Sequence, residues 1–213
     1  MLRTSSELIR YDVEATDGQI GSVKDLLFDD QSWKVRFIVV DTGGFLHRHK
    51  VLVDPRHVCG LRFPEEALVI DLSKREVEAS RGLETSPPVS VQAGQDPSST
   101  EDVDPHLRSS NEICAYKISA SDSEMGQIHG LVVETSTWTV RYLIVDTGEW
   151  LMGKLVLLGT HVIRSIDISC HMIKTDVTSD SIRHCPAYDE TAELTRDYEA
   201  FLHDYYGWPP YWF

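Results

Sequence analysis

Trp33-Lys34-Val35-Arg36-Phe37-Ile38-Val39-Val40-Asp41-Thr42-Gly43 recurs as Trp138-Thr139-Val140-Arg141-Tyr142-Leu143-Ile144-Val145-Asp146-Thr147-Gly148, at an offset of 105 residues. The match runs without a gap over 11–52 and 116–157, where 15 of 42 positions are identical. Most of the remainder are conservative exchanges such as Val13/Ile118 and Phe37/Tyr142. Two copies at one long period indicate a duplicated domain; stacked repeats have shorter periods and more copies. A chain of 213 residues has room for two small domains.

Each copy reads as β structure. Val35–Val40 is a β-branched and aromatic run that ends in the turn sequence Asp41-Thr42-Gly43. Gly21–Phe28 precedes it, closed by Asp29-Asp30-Gln31-Ser32, and Lys50–Val53, His57–Cys59 and Ala67–Asp71 follow. Short strands with polar turns every eight to twelve residues predict a small barrel or sandwich. Helix within the repeat is limited to a turn or two after Ser73-Lys74-Arg75-Glu76, a capping box. The paired glycines Gly21/Gly126 and Gly43/Gly148 read as bulge and turn positions. Between the copies, the Ser, Asp and Gln of 84–110 surround Pro87, Pro88, Pro97 and Pro105, a linker composition. The expected organisation is a first domain over 1–83, a linker over 84–110, a second domain over 111–190 and a C-terminal segment over 191–213.

The formal net charge is −14 and each half carries −7, with 12 basic and 19 acidic groups in 1–105 and 8 and 15 in 106–213. Such a surface repels phosphate backbones, so nucleic acid is not expected as a partner. No stretch has the roughly 20 apolar residues of a membrane span, and Met1–Glu7 lacks a signal-peptide layout; the expected location is the cytoplasm. Cys59, Cys114, Cys170 and Cys185 are irregularly spaced, which suits reduced, mostly buried thiols, with a Cys170–Cys185 bridge as the alternative.

The pattern Asp17-Gly18-x-x-Gly21-x-Val23-x-Asp25-Leu26-Leu27-Phe28-Asp29-Asp30, followed by Trp33-x-Val35-Arg36-Phe37-x-Val39-Val40-Asp41-Thr42-Gly43-Gly44, resembles the PRC-barrel family. The second copy is similar, with Ser123 and Glu149 where the family usually carries glycine. Cys185-Pro186-x-Tyr188-Asp189 and Tyr198-Glu199-x-x-Leu202-x-x-Tyr205-Tyr206-Gly207 look like the tail of stand-alone bacterial members. The family includes the cytoplasmic barrel of the photosynthetic reaction-centre H subunit and a barrel in a ribosome-maturation factor. The resemblance implies a mainly β fold of two tandem small barrels with short capping helices, a C-terminal helix and an aromatic tail. It implies binding to other proteins and no shared catalytic residues; the H subunit's membrane anchor has no counterpart here.

Other constellations are weaker. Gly148-Glu149-Trp150-Leu151-Met152-Gly153-Lys154 has phosphate-loop spacing, but Leu155 stands where Ser or Thr must hold magnesium, and a strand follows where a helix is required. His47, His49, His57 and Cys59 could converge as zinc ligands if each pair shares a strand face; solvated hairpin-tip positions explain them better, and no metal or other cofactor is expected. Arg36 and Arg141 interrupt apolar strands and are candidates for gripping a partner. No G-x-S-x-G, H-E-x-x-H or G-x-G-x-x-G occurs, and a non-catalytic role is expected.

The tail carries the strongest functional signal. Thr191–Tyr206 reads as a helix with Leu194, Tyr198, Phe201, Leu202 and Tyr205 along one side and Gly207 as the stop. Trp208-Pro209-Pro210-Tyr211-Trp212-Phe213 follows, and its Trp208, Tyr211, Trp212 and Phe213 are further partner-binding candidates. These residues are expected to pack on protein, their own domain first. The function read from all this is a protein-binding scaffold or adaptor, an accessory of a larger complex such as a photosynthetic or membrane-associated one. Self-association through barrels or tail would be compatible with it; a small-ligand or metal-binding barrel is the alternative.

Overall fold

A computed structural model of the chain describes residues 1–43, 49–92, 104–148 and 153–212. It is mainly β and contains two seven-stranded sheets. Two compact units are formed, one from Arg3–Ile113 with Val133–Val140, the other from Cys114–Val132 and the chain from Arg141 on.

In the first half the elements are β1 (Leu2–Thr4), α1 (Ser5–Leu8), β2 (Asp12–Ala15), β3 (Gly18–Asp29), β4 (Val35–Asp41), β5 (Lys50–Val53), β6 (Val58–Arg62), β7 (Ala67–Ile70), α2 (Lys74–Glu78) and α3 (Val89–Gln92). They are followed by β8 (Leu107–Ser109), α4 (Ser110–Ile113), β9 (Lys117–Ser119), β10 (Glu124–Glu134), β11 (Thr139–Asp146) and β12 (Leu155–Gly159). β13 (Ile163–Asp167), β14 (Met172–Thr175), α5 (Ser179–His184) and α6 (Arg196–Tyr206) complete the chain. The strand order is β5-β4-β3-β2-β7-β6 in one sheet and β12-β11-β10-β9-β14-β13 in the other, the same order element for element. In both, the fourth contact along the order, β2 with β7 or β9 with β14, is parallel, and the contact on either side of it is antiparallel.

Each order has a geometric consequence. β5 and β6 sit at opposite ends of six strands, yet only Asp54 and the 3₁₀ turn Pro55–His57 separate them in sequence. Laid flat, six strands about 4.8 Å apart would put these ends ~24 Å apart. The five residue steps from Val53 to Val58 reach at most ~18 Å. The sheet must therefore curl. Among the described residues the strand pairing does not close a ring, so two curled sheets are observed where two closed barrels were expected.

The core follows from the apolar runs. Leu26-Leu27-Phe28 and Ile38-Val39-Val40 are buried at every position, as are Leu131-Val132-Val133 and Leu143-Ile144-Val145. Successive side chains on a strand face opposite ways, so both sheet faces are covered there. Bulges bend the long strands at Ile20, beside Gly21, and at Gly126. A Cβ at Gly21 would lie 2.1 Å from the Asp41 carbonyl oxygen and one at Gly126 would lie 2.0 Å from that of Asp146. Close approach to the neighbouring strand explains both glycines. Trp33 and Trp138 likewise share a left-handed backbone, with φ of 57° and 48°, at the turn of each hairpin.

On the first unit, Leu27, Val39 and Leu52 form a cluster with Leu107, and Phe37 and Leu83 pack against it. Leu107 belongs to β8, which pairs antiparallel with β3 at the end of the stretch expected as linker. Asp25 holds this segment: one carboxylate oxygen accepts from the Ser109 hydroxyl at 2.5 Å, the other from the Ser110 hydroxyl at 2.8 Å and the Asn111 amide at 3.1 Å. Burial pushes the Asp25 carboxyl up from its ordinary value against these donors. The Ser73/Glu76 capping box forms on α2 as expected.

All four cysteines are free, as expected, and the alternative Cys170–Cys185 bridge is not formed. Their burial needs correction: Cys59 and Cys170 are exposed, Cys114 is intermediate and Cys185 is buried. The exposure has a local cause: Cys170 lies in the β13–β14 turn, its amide bonded to Asp167, and Cys59 falls at the β6 bulge.

Candidate functional site

The second unit carries the C-terminal segment on its surface. Thr195 caps α6, its hydroxyl accepting from the Tyr198 amide at 3.3 Å, and Gly207 ends it in a left-handed conformation at φ 68°. The helix begins later than expected from sequence. Thr191 is instead tied to Asp189, whose carboxylate accepts from its amide at 2.9 Å and its hydroxyl at 2.7 Å.

The buried face of α6 also differs. Leu202 is buried as expected, but beside it lie Glu199 at 1% and His203 at 4% exposure. Phe201, at 59%, and Tyr205, at 37%, point outward. The reason is the Tyr142 hydroxyl on β11. It lies 2.8 Å from Glu199 Oε1 and 2.9 Å from His203 Nε2. Residues four apart share a helix face, so these two polar contacts fix the rotation of α6 about its axis. Leaving them buried and unpaired would cost more than exposing one phenyl ring.

The aromatic tail closes over this cluster. The Tyr211 hydroxyl donates to Glu199 Oε1 at 2.5 Å, Arg196 pairs with Glu199 Oε2 at 2.8 Å, and His203 Nδ1 lies 3.2 Å from the Pro209 carbonyl. The Arg141 guanidinium sits 4.0 Å over the Tyr211 ring, and that of Arg196 4.5 Å from Trp212. Trp208 stacks on Tyr206 at 4.1 Å and meets His161 edge-on at 4.5 Å. Burial, then the neighbouring Glu199 carboxylate, push the Tyr142 phenol far above its usual range, and burial with the same carboxylate raises Tyr211. Both stay protonated and act as donors. Burial lowers the His203 imidazole, with the Pro209 carbonyl and Glu199 opposing, and burial with His203 lowers His161. Burial raises the Cys185 thiol to about 11.

Of the partner-binding candidates, Arg141, Trp208, Tyr211 and Trp212 are thus brought together, half-buried against their own unit. Arg36 lies in the first unit, 3.8 Å from both Asp29 and Asp104. Phe213 lies outside the described residues. The metal-ligand candidates are differently employed. His57 ends a 3₁₀ turn and its Nδ1 lies 2.8 Å from Asp71, while Cys59 sits in the following bulge, so the alternation that would put both on one face is broken. His49 is exposed and His47 lies outside the described residues. Among the described residues, no group of three or more His, Cys, Asp or Glu side chains could hold a metal ion. In the stretch with phosphate-loop spacing, Glu149–Met152 are likewise outside; Lys154 reaches the Arg183 carbonyl at 3.2 Å and also that of Cys185, and β12 follows.

Tyr142, Glu199 and His203 were not singled out in the sequence. The available signals were the Phe37-to-Tyr142 exchange between copies and the i, i+4 spacing of an acid and a histidine on a helix that ends in aromatics.

No helix among the described residues is long and apolar enough to cross a membrane. No curated protein matches the chain. The family model of the PRC-barrel domain matches residues 2–78, the first copy together with β1 and α1. The chain therefore carries, over residues 2–78, a PRC-barrel domain.

Proposed function

We propose that the chain is a non-catalytic scaffold or adaptor of two PRC-barrels that presents the outer face of α6 to a protein partner. Identical strand order in the two sheets supports a second barrel of the same family, and the short β5–β6 and β12–β13 connections support closure of each curled sheet. The observation that carries the docking role is Phe201. It is more than half exposed on a helix whose opposite face is held by three side-chain contacts from outside the helix to Glu199 and His203. Mobile aromatics must be ordered on binding; a rigid one avoids that loss.

Exposed Asp197 and Asp204 flank Phe201 and Tyr205, and the chain's net charge is −14, so the fitting partner offers an apolar socket with a basic rim. The expected setting is the cytoplasm, within a larger assembly. The test compares capture from host extract by wild type and by Phe201→Ser. An exposed side chain can be changed at little cost in stability, whereas losing a central aromatic anchor of about 2 kcal/mol would reduce retention of a true partner about 30-fold. Identical captured sets for the two proteins would overturn the reading. Metal analysis and mass spectrometry of the purified protein address the ligand-binding alternative.

A further inference from the structure

We propose that Tyr142, Glu199 and His203 share one proton more than a neutral imidazole and a carboxylate supply, so that docking of the C-terminal segment takes up a proton and weakens as pH rises.

The inference rests on counting hydrogens. The Pro209 carbonyl can only accept, so the 3.2 Å contact requires a hydrogen on His203 Nδ1. A neutral imidazole then has a bare Nε2. The Tyr142 hydroxyl, with a single hydrogen, faces that bare nitrogen at 2.9 Å and Glu199 Oε1 at 2.8 Å. Tyr211 donates its own hydrogen to the same Oε1, and Arg196 pairs with Oε2. One of the two Tyr142 contacts would therefore join lone pair to lone pair inside a site where Tyr142 and Glu199 are each 1% exposed.

One added proton resolves this. Placed on His203 Nε2, it is donated to the Tyr142 oxygen, and Tyr142 donates to Glu199. Placed on Glu199 Oε1, it is donated to the Tyr142 oxygen, and Tyr142 donates to His203. The heavy-atom geometry is the same, and the proton belongs to the linked groups jointly.

The charged and titratable surroundings are Arg196 on α6, Arg141 on β11, Tyr211 on the tail and His161 in the turn before β13. Arg196 pairs with the Glu199 carboxylate, and His203 lies on the other side of the Tyr142 hydroxyl. There the rings of Trp212, Trp208, Tyr211 and Tyr142, with centroids at 4.7, 5.7, 5.9 and 6.1 Å, can accommodate a cation. Burial and Arg196 act against an imidazolium. They do not remove the missing hydrogen.

The sign is as follows. In the released segment His203 titrates near its ordinary ~6.5. Below that value both states hold the proton and docking is independent of pH. Above it the docked state keeps the proton until its own, higher value is passed, so docking is progressively lost as pH rises. One proton per docking event gives at most a tenfold change in release per pH unit.

The test is hydrogen exchange of α6 amides from pH 5 to 9, corrected for intrinsic rates, alongside the nitrogen-15 titration of His203 in the full chain. The expected result is an opening equilibrium that rises up to tenfold per pH unit above ~6.5, with the docked His203 titrating above that value. His161→Gln should keep this slope and Tyr142→Phe should flatten it. Should Tyr142→Phe fail to fold, the wild-type histidine titration still decides. Opening that is flat above pH 6.5 or that increases toward acid, or a His203 titrating below 6.5, would overturn the proposal.

Discussion

Tyr142→Phe isolates one oxygen atom. The ring sits at 1% exposure, and phenylalanine keeps its apolar contacts, so the substitution leaves no cavity larger than the hydroxyl. What is lost is a hydrogen bond to a carboxylate, worth roughly 1.5–3 kcal/mol when the acceptor is charged. Glu199 is not orphaned, since Tyr211 and Arg196 still reach it at 2.5 and 2.8 Å, which favours the lower part of that range. His203 Nε2 loses its 2.9 Å partner, which adds to the cost. A net loss of about 2 kcal/mol is expected. With a urea dependence near 2 kcal/mol per molar, the unfolding midpoint of the second unit should fall by about 1 M at unchanged slope. The control is Phe37→Tyr, at the matching position of the first copy. Phe37 packs against Leu27, Val39, Leu52 and Leu107, where an added hydroxyl meets apolar side chains, so no stabilisation is expected. A fall of less than about 0.3 M for Tyr142→Phe, or an equal effect of both exchanges, would refute the argument that this hydroxyl anchors the tail.

Gly126→Ala and Gly21→Ala should each lower stability by about 3 kcal/mol or prevent folding, because the new methyl meets a neighbouring carbonyl oxygen at 2.0 and 2.1 Å; urea titration checks this, and a loss below about 1 kcal/mol would mean the strands separate cheaply. Asp25→Ala should cost about 2–3 kcal/mol by removing the acceptor of the Ser109 and Ser110 hydroxyls and the Asn111 amide. Asp25→Asn should cost under about 1 kcal/mol. Because burial raises the folded Asp25 value, the folded state holds this proton more tightly than the unfolded state. Its contribution to stability therefore grows as pH falls through the folded value and is complete below the unfolded ~3.9. Stability curves of wild type and Asp25→Asn between pH 3 and 7 should differ by that component alone.

How far these features could be read in advance depended on whether local pattern or a distant partner decides them. The strands were readable because β-branched runs and Asp-Thr-Gly turns are local signals, and Lys50–Val53 forms with the expected bounds. Ser73 and Glu76 on α2, and Gly207 after α6, were readable for the same reason. The docking of β8 was hidden by the polar composition around it. Yet Leu107-Arg108-Ser109-Ser110-x-Glu112 repeats Leu2-Arg3-Thr4-Ser5-x-Glu7 at the same offset of 105, so a longer alignment of the copies would have marked it. The face of α6 was misassigned because apolar periodicity turns Phe201 inward and treats Glu199 and His203 as solvent-facing. Only a hydroxyl contributed by β11, 57 residues before Glu199, reverses that.

The two copies make a comparison within one chain that separates descent from need. Phe37 and Tyr142 occupy the same place in the same strand of the same sheet order, and they differ by one oxygen. Phe37 packs against an apolar cluster that includes Leu107, and burial there is nondirectional. Over Tyr142 the cover is Glu199, His203 and Tyr211, whose polar atoms demand particular distances and angles. An apolar cover tolerates sliding; a hydrogen-bonded one holds a single rotation. If the outer face of α6 exists to be read by a partner, that rotation has to be held, because a turn of one residue, about 100°, would carry Phe201 off the presented face. The added oxygen is therefore where a duplicated domain acquires a defined outer surface. Restoring the first copy's residue by Tyr142→Phe should blur that surface, reducing partner retention along with the stability of the second unit, whereas Phe201→Ser should reduce retention alone.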